Sequence, residues 1–207
     1  MTRVLATSQD RPEDDVVEEA ARVLLGGGVV VVPTDSVYGI ACAATPGNPG
    51  HGRIFEIKRR ARAQTLPWLI ADPLDLDRYA REVPAAAREL IRRAWPGQLT
   101  LVVSASAEVP ENYRAADGTV ALRLPDSALV RALAYRCGVP LATTSANTHG
   151  RPSATSAAAV EREVAEAADL VIDAGPAPVA VASTVVDFLG GRPRVLRAGP
   201  VSVNSTT

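Results

Sequence analysis

The residues of this 207-residue chain that could do chemistry fall into a few short clusters. The most charged is Lys58-Arg59-Arg60-Ala61-Arg62, within a window from Arg53 to Arg62 that holds five basic side chains and one acid, Glu56. Lys58 is the only lysine among 22 basic residues; all the others are arginine. A compact ammonium suits a point charge among phosphate oxygens, whereas the arginine fork grips two oxygens at once. The window reads as an anion site, and equally as a solvated helix end whose cations complement the helix dipole. A second cluster, Thr143-Thr144-Ser145-Ala146-Asn147-Thr148-His149-Gly150-Arg151-Pro152-Ser153, crowds hydroxyls, an amide and an arginine into a loop leading to a helix. Free N–H groups at that helix start would favour a phosphate or carboxylate, although plain capping needs only one or two such residues. The stretch Pro33-Thr34-Asp35-Ser36-Val37-Tyr38-Gly39 could bind a small polar ligand or form an ordinary turn and cap. Arg123 and Arg197 each end an apolar strand, where a buried arginine needs a carboxylate or phosphate partner.

Several standard devices are missing. There is no G-x-x-x-x-G-K-[ST] loop, no G-x-G-x-x-G after a strand and no G-x-S-x-G elbow. Two histidines, His51 and His149, and two well-separated cysteines do not make a structural zinc set. The clusters also contain no convincing nucleophile and base pair, so the chemistry must rest on binding and charge neutralisation. Nucleotidyl transfer has that character, with Mg2+ carried on the triphosphate.

The elements that must position these clusters alternate in type. Helices are expected over 12–25, 52–60, 74–81, 84–94, 127–137 and 156–168, from their apolar spacing and their Pro, Gly and acidic boundaries. Strands are expected over 29–32, 67–71, 99–103, 119–124, 139–143, 170–173, 183–188 and 194–197, and the segment 37–44 is again apolar. The run Val29-Val30-Val31-Val32 has the look of a strand buried on both faces. Strands interleaved with helices imply a single α/β domain with a mixed parallel and antiparallel sheet and helical cover. Its polar clusters directly follow apolar strands, where open α/β sheets place their ligands. The domain is expected over 10–203, with polar, loose tails at 1–9 and 204–207.

Composition bounds the rest. The chain is 47% apolar with a formal charge of −1, so any nucleic-acid contact must come from a local patch. At this length folding buries roughly 70% of the unfolded surface, so Cys42 and Cys137 are expected as reduced thiols in a cytoplasmic protein. Apolar runs such as Val29 to Pro33 are far short of the ~20 residues of a membrane span. No membrane partner is expected.

A set of strings in fixed order resembles the YrdC-like threonylcarbamoyl-AMP synthases. They are Gly27 to Gly39, the K-x-R at Lys58 to Arg60, Trp95-Pro96-Gly97-Gln98-Leu99-Thr100, Ser145-Ala146-Asn147, Ser183-Thr184-Val185-Val186-Asp187 and Arg197-Ala198-Gly199-Pro200. The resemblance implies a twisted YrdC-like (DHBP synthase-like) sheet with a concave, partly basic face, in a short form without an extra C-terminal domain. It further implies that ATP, L-threonine and bicarbonate yield threonylcarbamoyl-AMP and pyrophosphate, for later transfer of the threonylcarbamoyl group to tRNA by partner transferase subunits. Carried over by position, Lys58 and Arg60 are the catalytic pair, and with Gln64, Thr119, Asn147, Arg151 and Arg197 they form the ATP side. Ser36, Arg123, Ser145 and Ser183 would surround the threonine. No protein metal ligand is implied, Mg2+ coming with ATP, and tRNA could touch the basic concave face. Ala61 stands where the family usually has proline, and Leu69 where some relatives have histidine. Two alternatives remain at this stage: a double-stranded RNA or tRNA-binding module of the same fold, and a paralogue that adenylates a different carboxylated amine.

Overall fold

A computed structural model describes residues 2–61 and 64–203. In chain order the elements are β1 (Arg3–Ala6), α1 (Asp14–Leu25), β2 (Val30–Val32), β3 (Gly39–Ala43), α2 (Pro49–Lys58) and β4 (Trp68–Leu69). Next come α3 (Asp75–Tyr79), β5 (Ala80–Arg81), α4 (Ala85–Ala94), β6 (Leu99–Ala105), β7 (Thr119–Arg123) and α5 (Ala128–Cys137). The chain continues through β8 (Leu141–Ser145), α6 (Arg162–Ala167), β9 (Leu170–Asp173), β10 (Thr184–Asp187) and β11 (Arg194–Arg197). The strands form one mixed sheet in the order β1-β9-β2-β3-β8-β4-β7-β6-β10-β11, with β5 paired to β6.

Helices cover both faces of this sheet, which is why its central strands are apolar without alternation. Val30 and Val32 pack with Leu24 of α1 and Leu129 and Leu133 of α5. Val29 and Val31 belong to a second core, with Ile54 and Phe55 of α2, Trp68 of β4 and Leu90 of α4. Helix α1 starts with Asp14 and Asp15 in its first turn, at the positive end of its dipole. Helix α5 is closed by Ser127, whose hydroxyl accepts from the Val130 N–H, and by left-handed Gly138.

Three expectations need correction. Residues 3–6 are not part of a loose tail: β1 lies parallel to β9, from Arg3 opposite Leu170 to Ala6 opposite Asp173. Leu5 packs against the α1–α5 core and Arg3 pairs with Glu19. A four-residue strand with one inward apolar side chain is too short to stand out in the sequence. The expected tail at 204–207 lies outside the described residues. Secondly, the helix expected over 74–81 stops at Tyr79, because Ala80 and Arg81 pair with Ala105 and Ser104 of β6. Thirdly, the helix expected over 156–168 is broken into a 3-10 turn at Ala157–Ala159 and the short α6. Val160 lies between them in extended backbone, buried in the core. Burial of this β-branched side chain outweighs the helix propensity of the alanines before it.

Candidate active site

The loop after β2, the ends of β7, β8 and β11, and the starts of β6 and β10 converge at one end of the sheet. They enclose a pocket of about 130 Å³ lined by hydroxyls and guanidiniums, among them Ser36, Thr100, Arg123, Ser145, Ser183 and Arg197. Its volume is close to the ~150 Å³ that holds benzene, enough for a small amino acid but not for a nucleoside triphosphate.

The inner wall is a buried polar network. Arg123, 5% exposed, donates from Nε to the Gly97 carbonyl (2.9 Å), from Nη1 to Ser36 Oγ (2.9 Å) and from Nη2 to Asp35 Oδ1 (2.5 Å). Burial pulls the Arg123 pKa below the ordinary arginine value, and Asp35 pulls the other way. The second oxygen of Asp35 accepts from Gln98 Nε2 at 2.7 Å. Thr34 ties the turn by donating to the Val37 carbonyl (2.8 Å), and its hydroxyl accepts from the Ser36 and Val37 N–H groups. The turn is thus both self-capped and a ligand wall. Gly39 opens β3 inside the pocket, where an added Cβ would lie 2.7 Å from the Thr143 methyl of β8.

Ser183 joins two further elements. Its hydroxyl lies 2.8 Å from Thr100 Oγ1 and accepts from Arg197 Nη2 at 3.1 Å, while its carbonyl accepts from Arg197 Nε at 2.9 Å. Burial lowers the Arg197 pKa, and the neighbouring Arg123 charge lowers it further. Asp35 pairs with Arg123 alone, and Arg197 has no carboxylate partner among the described residues, so the wall carries an excess of positive charge that favours an anion.

The K-x-R segment sits behind and above this wall. Lys58 ends α2 and is 2% exposed; its ammonium donates to the Ser145 carbonyl (2.5 Å) and the Asn147 carbonyl (2.6 Å). The Lys58 carbonyl in turn accepts from the His149 N–H at 2.9 Å. The residue that the sequence offers as a free point charge is instead stapled under the loop, with one of its three donors uncommitted among the described residues. Burial first, and then the Arg60 charge, lower its pKa to about 8, against the opposing pull of Glu161. Arg60 follows the left-handed Arg59 and donates to Thr144 Oγ1 (3.1 Å), Gln64 Oε1 (2.7 Å) and the Thr65 carbonyl (3.3 Å). Thr144 lines the pocket, so Arg60 borders its mouth.

The loop after β8 is fixed from several sides. The Ala146 N–H donates to the Tyr38 carbonyl, and the Tyr38 N–H to the Ala154 carbonyl. Glu161 accepts from both the N–H and the hydroxyl of Thr148 at 2.8 Å. Asn147 Nδ2 donates to the Thr148 and Arg151 carbonyls, leaving its buried Oδ1 without a partner among the described residues. The helix N-terminus that was expected to offer an anion site here is not formed, and Glu161 takes the Thr148 donors.

Ser36, Arg123, Ser145, Ser183 and Arg197 therefore share one pocket, and Arg60 with Gln64 stands at its edge. Asn147 and exposed Arg151 lie on the adjoining loop without lining the cavity. Thr119 is not brought to the pocket. It begins β7, four residues before Arg123 and roughly 13 Å away at the strand rise, with its hydroxyl donating to Asp117 Oδ1 at 2.6 Å. Sequence reading gave no role to Asp35, Gln98 or Thr100, although each stands inside a string it singled out; their shared signal was a polar residue beside an apolar strand. Leu69 lines the pocket, so the departure noted there bears directly on the ligand.

Known proteins resemble this chain over most of its length. A Mycobacterium leprae relative is 37% identical over 187 residues, covering 90% of this chain and 84% of its own length. A threonylcarbamoyl-AMP synthase of Pyrococcus abyssi is 35% identical over 196 residues, 95% of this chain and 57% of that protein. The crystal structure of P. abyssi Sua5 complexed with L-threonine superimposes with a TM-score of 0.89 at 35% identity, covering 96% of this chain and 58% of that one. Residues 22–199 match the Sua5–YciO–YrdC family, described as "Telomere recombination", and the chain belongs to that family.

Proposed function

We propose that this chain catalyses formation of threonylcarbamoyl-AMP and pyrophosphate from L-threonine, bicarbonate and ATP. The observation that carries this reading is one pocket of amino-acid size in which Ser36, Arg123, Ser145 and Ser183 meet Arg197. It is supported by the threonine bound to the P. abyssi homologue and by the activity for which relatives across most of the chain are named. Arg123 and the hydroxyls hold the zwitterion. Arg60 and Arg197 border the mouth, where the triphosphate lies, with Asn147, Arg151 and Gln64 along the same side. Lys58 contributes its charge from beneath the loop and fixes the Ser145 and Asn147 backbone.

Threonine's amine first takes up bicarbonate, forming N-carboxythreonine and releasing water. A carboxylate oxygen of that group then attacks the α-phosphorus of ATP, and the bond to the β-phosphate oxygen breaks to release pyrophosphate. No side chain need act as a strong base; the guanidiniums offset charge where it develops. The lining residues offer hydroxyls and guanidiniums, so we assign Mg2+ to the triphosphate, where it neutralises phosphate charge. The product is passed to transferase subunits that modify tRNA, and the basic mouth is the face that tRNA would meet.

The test is incubation with ATP, Mg2+, 14C-bicarbonate and each amino acid in turn, with pyrophosphate and adenylate read by chromatography and mass. Label in a threonine-dependent adenylate is expected. Adenylate formed better with another amine would favour the paralogue reading, to which Leu69 in the pocket lends weight. ATP left intact, with salt-sensitive RNA binding, would overturn the enzyme reading.

A further inference from the structure

The Trp95–Thr100 segment is one of the strings that mark this sequence, yet the chemistry above leaves it without a task. Three of its contacts run to the back of the pocket. The Gly97 carbonyl accepts from Arg123 Nε (2.9 Å), Gln98 Nε2 donates to Asp35 Oδ2 (2.7 Å), and the Thr100 hydroxyl meets Ser183 Oγ (2.8 Å). Asp35 passes the second constraint on, because its other oxygen accepts from Arg123 Nη2 (2.5 Å). A carboxylate only accepts, so the Gln98 amide must present its nitrogen to Asp35. Its Oε1 is then buried without a partner among the described residues. A side chain kept there for packing alone would not need to strand a carbonyl oxygen.

We propose that Gln98 and Asp35 are positioning residues for amino-acid recognition, locking the Arg123 guanidinium so that its two uncommitted N–H groups serve the substrate's carboxylate. Arginine has five N–H donors, and Gly97, Ser36 and Asp35 take three of them. The remaining two belong to a side chain that lines the pocket. Neither Gln98 nor Asp35 lines it, so both act through Arg123. The inference rests on the reading of this pocket as the amino-acid site.

Gln98→Met nearly conserves volume and removes the donor. The expected result is a threonine KM raised about tenfold, with the ATP KM changed by less than about twofold. In Asp35→Asn the Gln98 amide can turn to present Oε1 to the new amide nitrogen, so the hydrogen bonds survive while the charge is lost; the threonine KM should rise further than in Gln98→Met. A parallel rise in both KM values, or an unchanged threonine KM, overturns the proposal. The 15N resonance of Arg123 Nε–H, followed without substrate, separates the two readings. It should be protected from exchange in the native protein and lose protection in Gln98→Met. If it does so while the native protein turns over no threonine, the functional reading fails and the positioning stands; if protection is unchanged, the positioning fails.

Discussion

The two sides of the pocket are built on opposite plans. Its inner wall is made of strand ends, and Asp35, Ser36, Arg123 and Ser183 are each 5% exposed or less. The outer side is carried by the C-terminal end of α2 and the loop after β8, where Arg59, Gln64 and Arg151 are exposed. In the wall the guanidinium is fixed by neighbours before any ligand arrives, so little ordering remains to be done on binding. At the mouth, Arg60 rests on Gln64, Thr144 and Thr65, polar groups that a phosphate can displace. A rigid small site beside an adaptable charged rim suits one compact ligand and one long, flexible anion.

Breaking the wall should have the largest effect. Arg123→Ala strands Asp35 as a buried charge, which costs roughly 3–5 kcal/mol; urea unfolding should show that loss, and threonine-dependent turnover should vanish. Lys58→Ala tests whether the mouth depends on its hidden staple: turnover should fall by roughly a hundredfold or more with a smaller loss of stability. Near-native turnover in that variant would remove Lys58 from the mechanism.

The same lysine sets a pH dependence of defined sign. Its pKa falls from 10.5 unfolded to about 8 folded, so between those values the unfolded chain holds the extra proton and the Lys58 contribution to stability rises with pH. The rate should move the other way, declining as pH passes about 8 and the charge is lost. Opposed trends in thermal melts and in initial rates over that window are the check.

A smaller change probes the seam between the two sides. Gly199 lies two residues beyond Arg197, and a Cβ there would lie 2.5 Å from the Thr184 nitrogen and 2.7 Å from the Ala182 carbonyl oxygen. Gly199→Ala should push the end of β11 away from Ser183, costing about 1–3 kcal/mol and raising the ATP KM more than the threonine KM. The smallest effect is expected from Glu161→Gln, which weakens acceptance from Thr148 at a half-buried position: a few-fold increase in the ATP KM with the threonine KM unchanged.

The sequence by itself determined much of this protein. The four-valine run, the amphipathic α1 and the capped α5 follow from period, branching and end residues, which are local properties. Placement of polar strings after apolar strands also marked Ser36, Arg123, Ser145 and Arg197 as candidates, and the family resemblance added Ser183. Only the tertiary structure decided their partners. Asp35 and Arg123 are 88 positions apart, and nothing local links them. Strand pairing likewise separated Thr119 from Arg123, since five residues of extended backbone place the two at opposite ends of one strand. Lys58 shows the same limit: residue type announces a cation, but which oxygens surround it depends on where the loop after β8 is folded, and here those oxygens are backbone carbonyls.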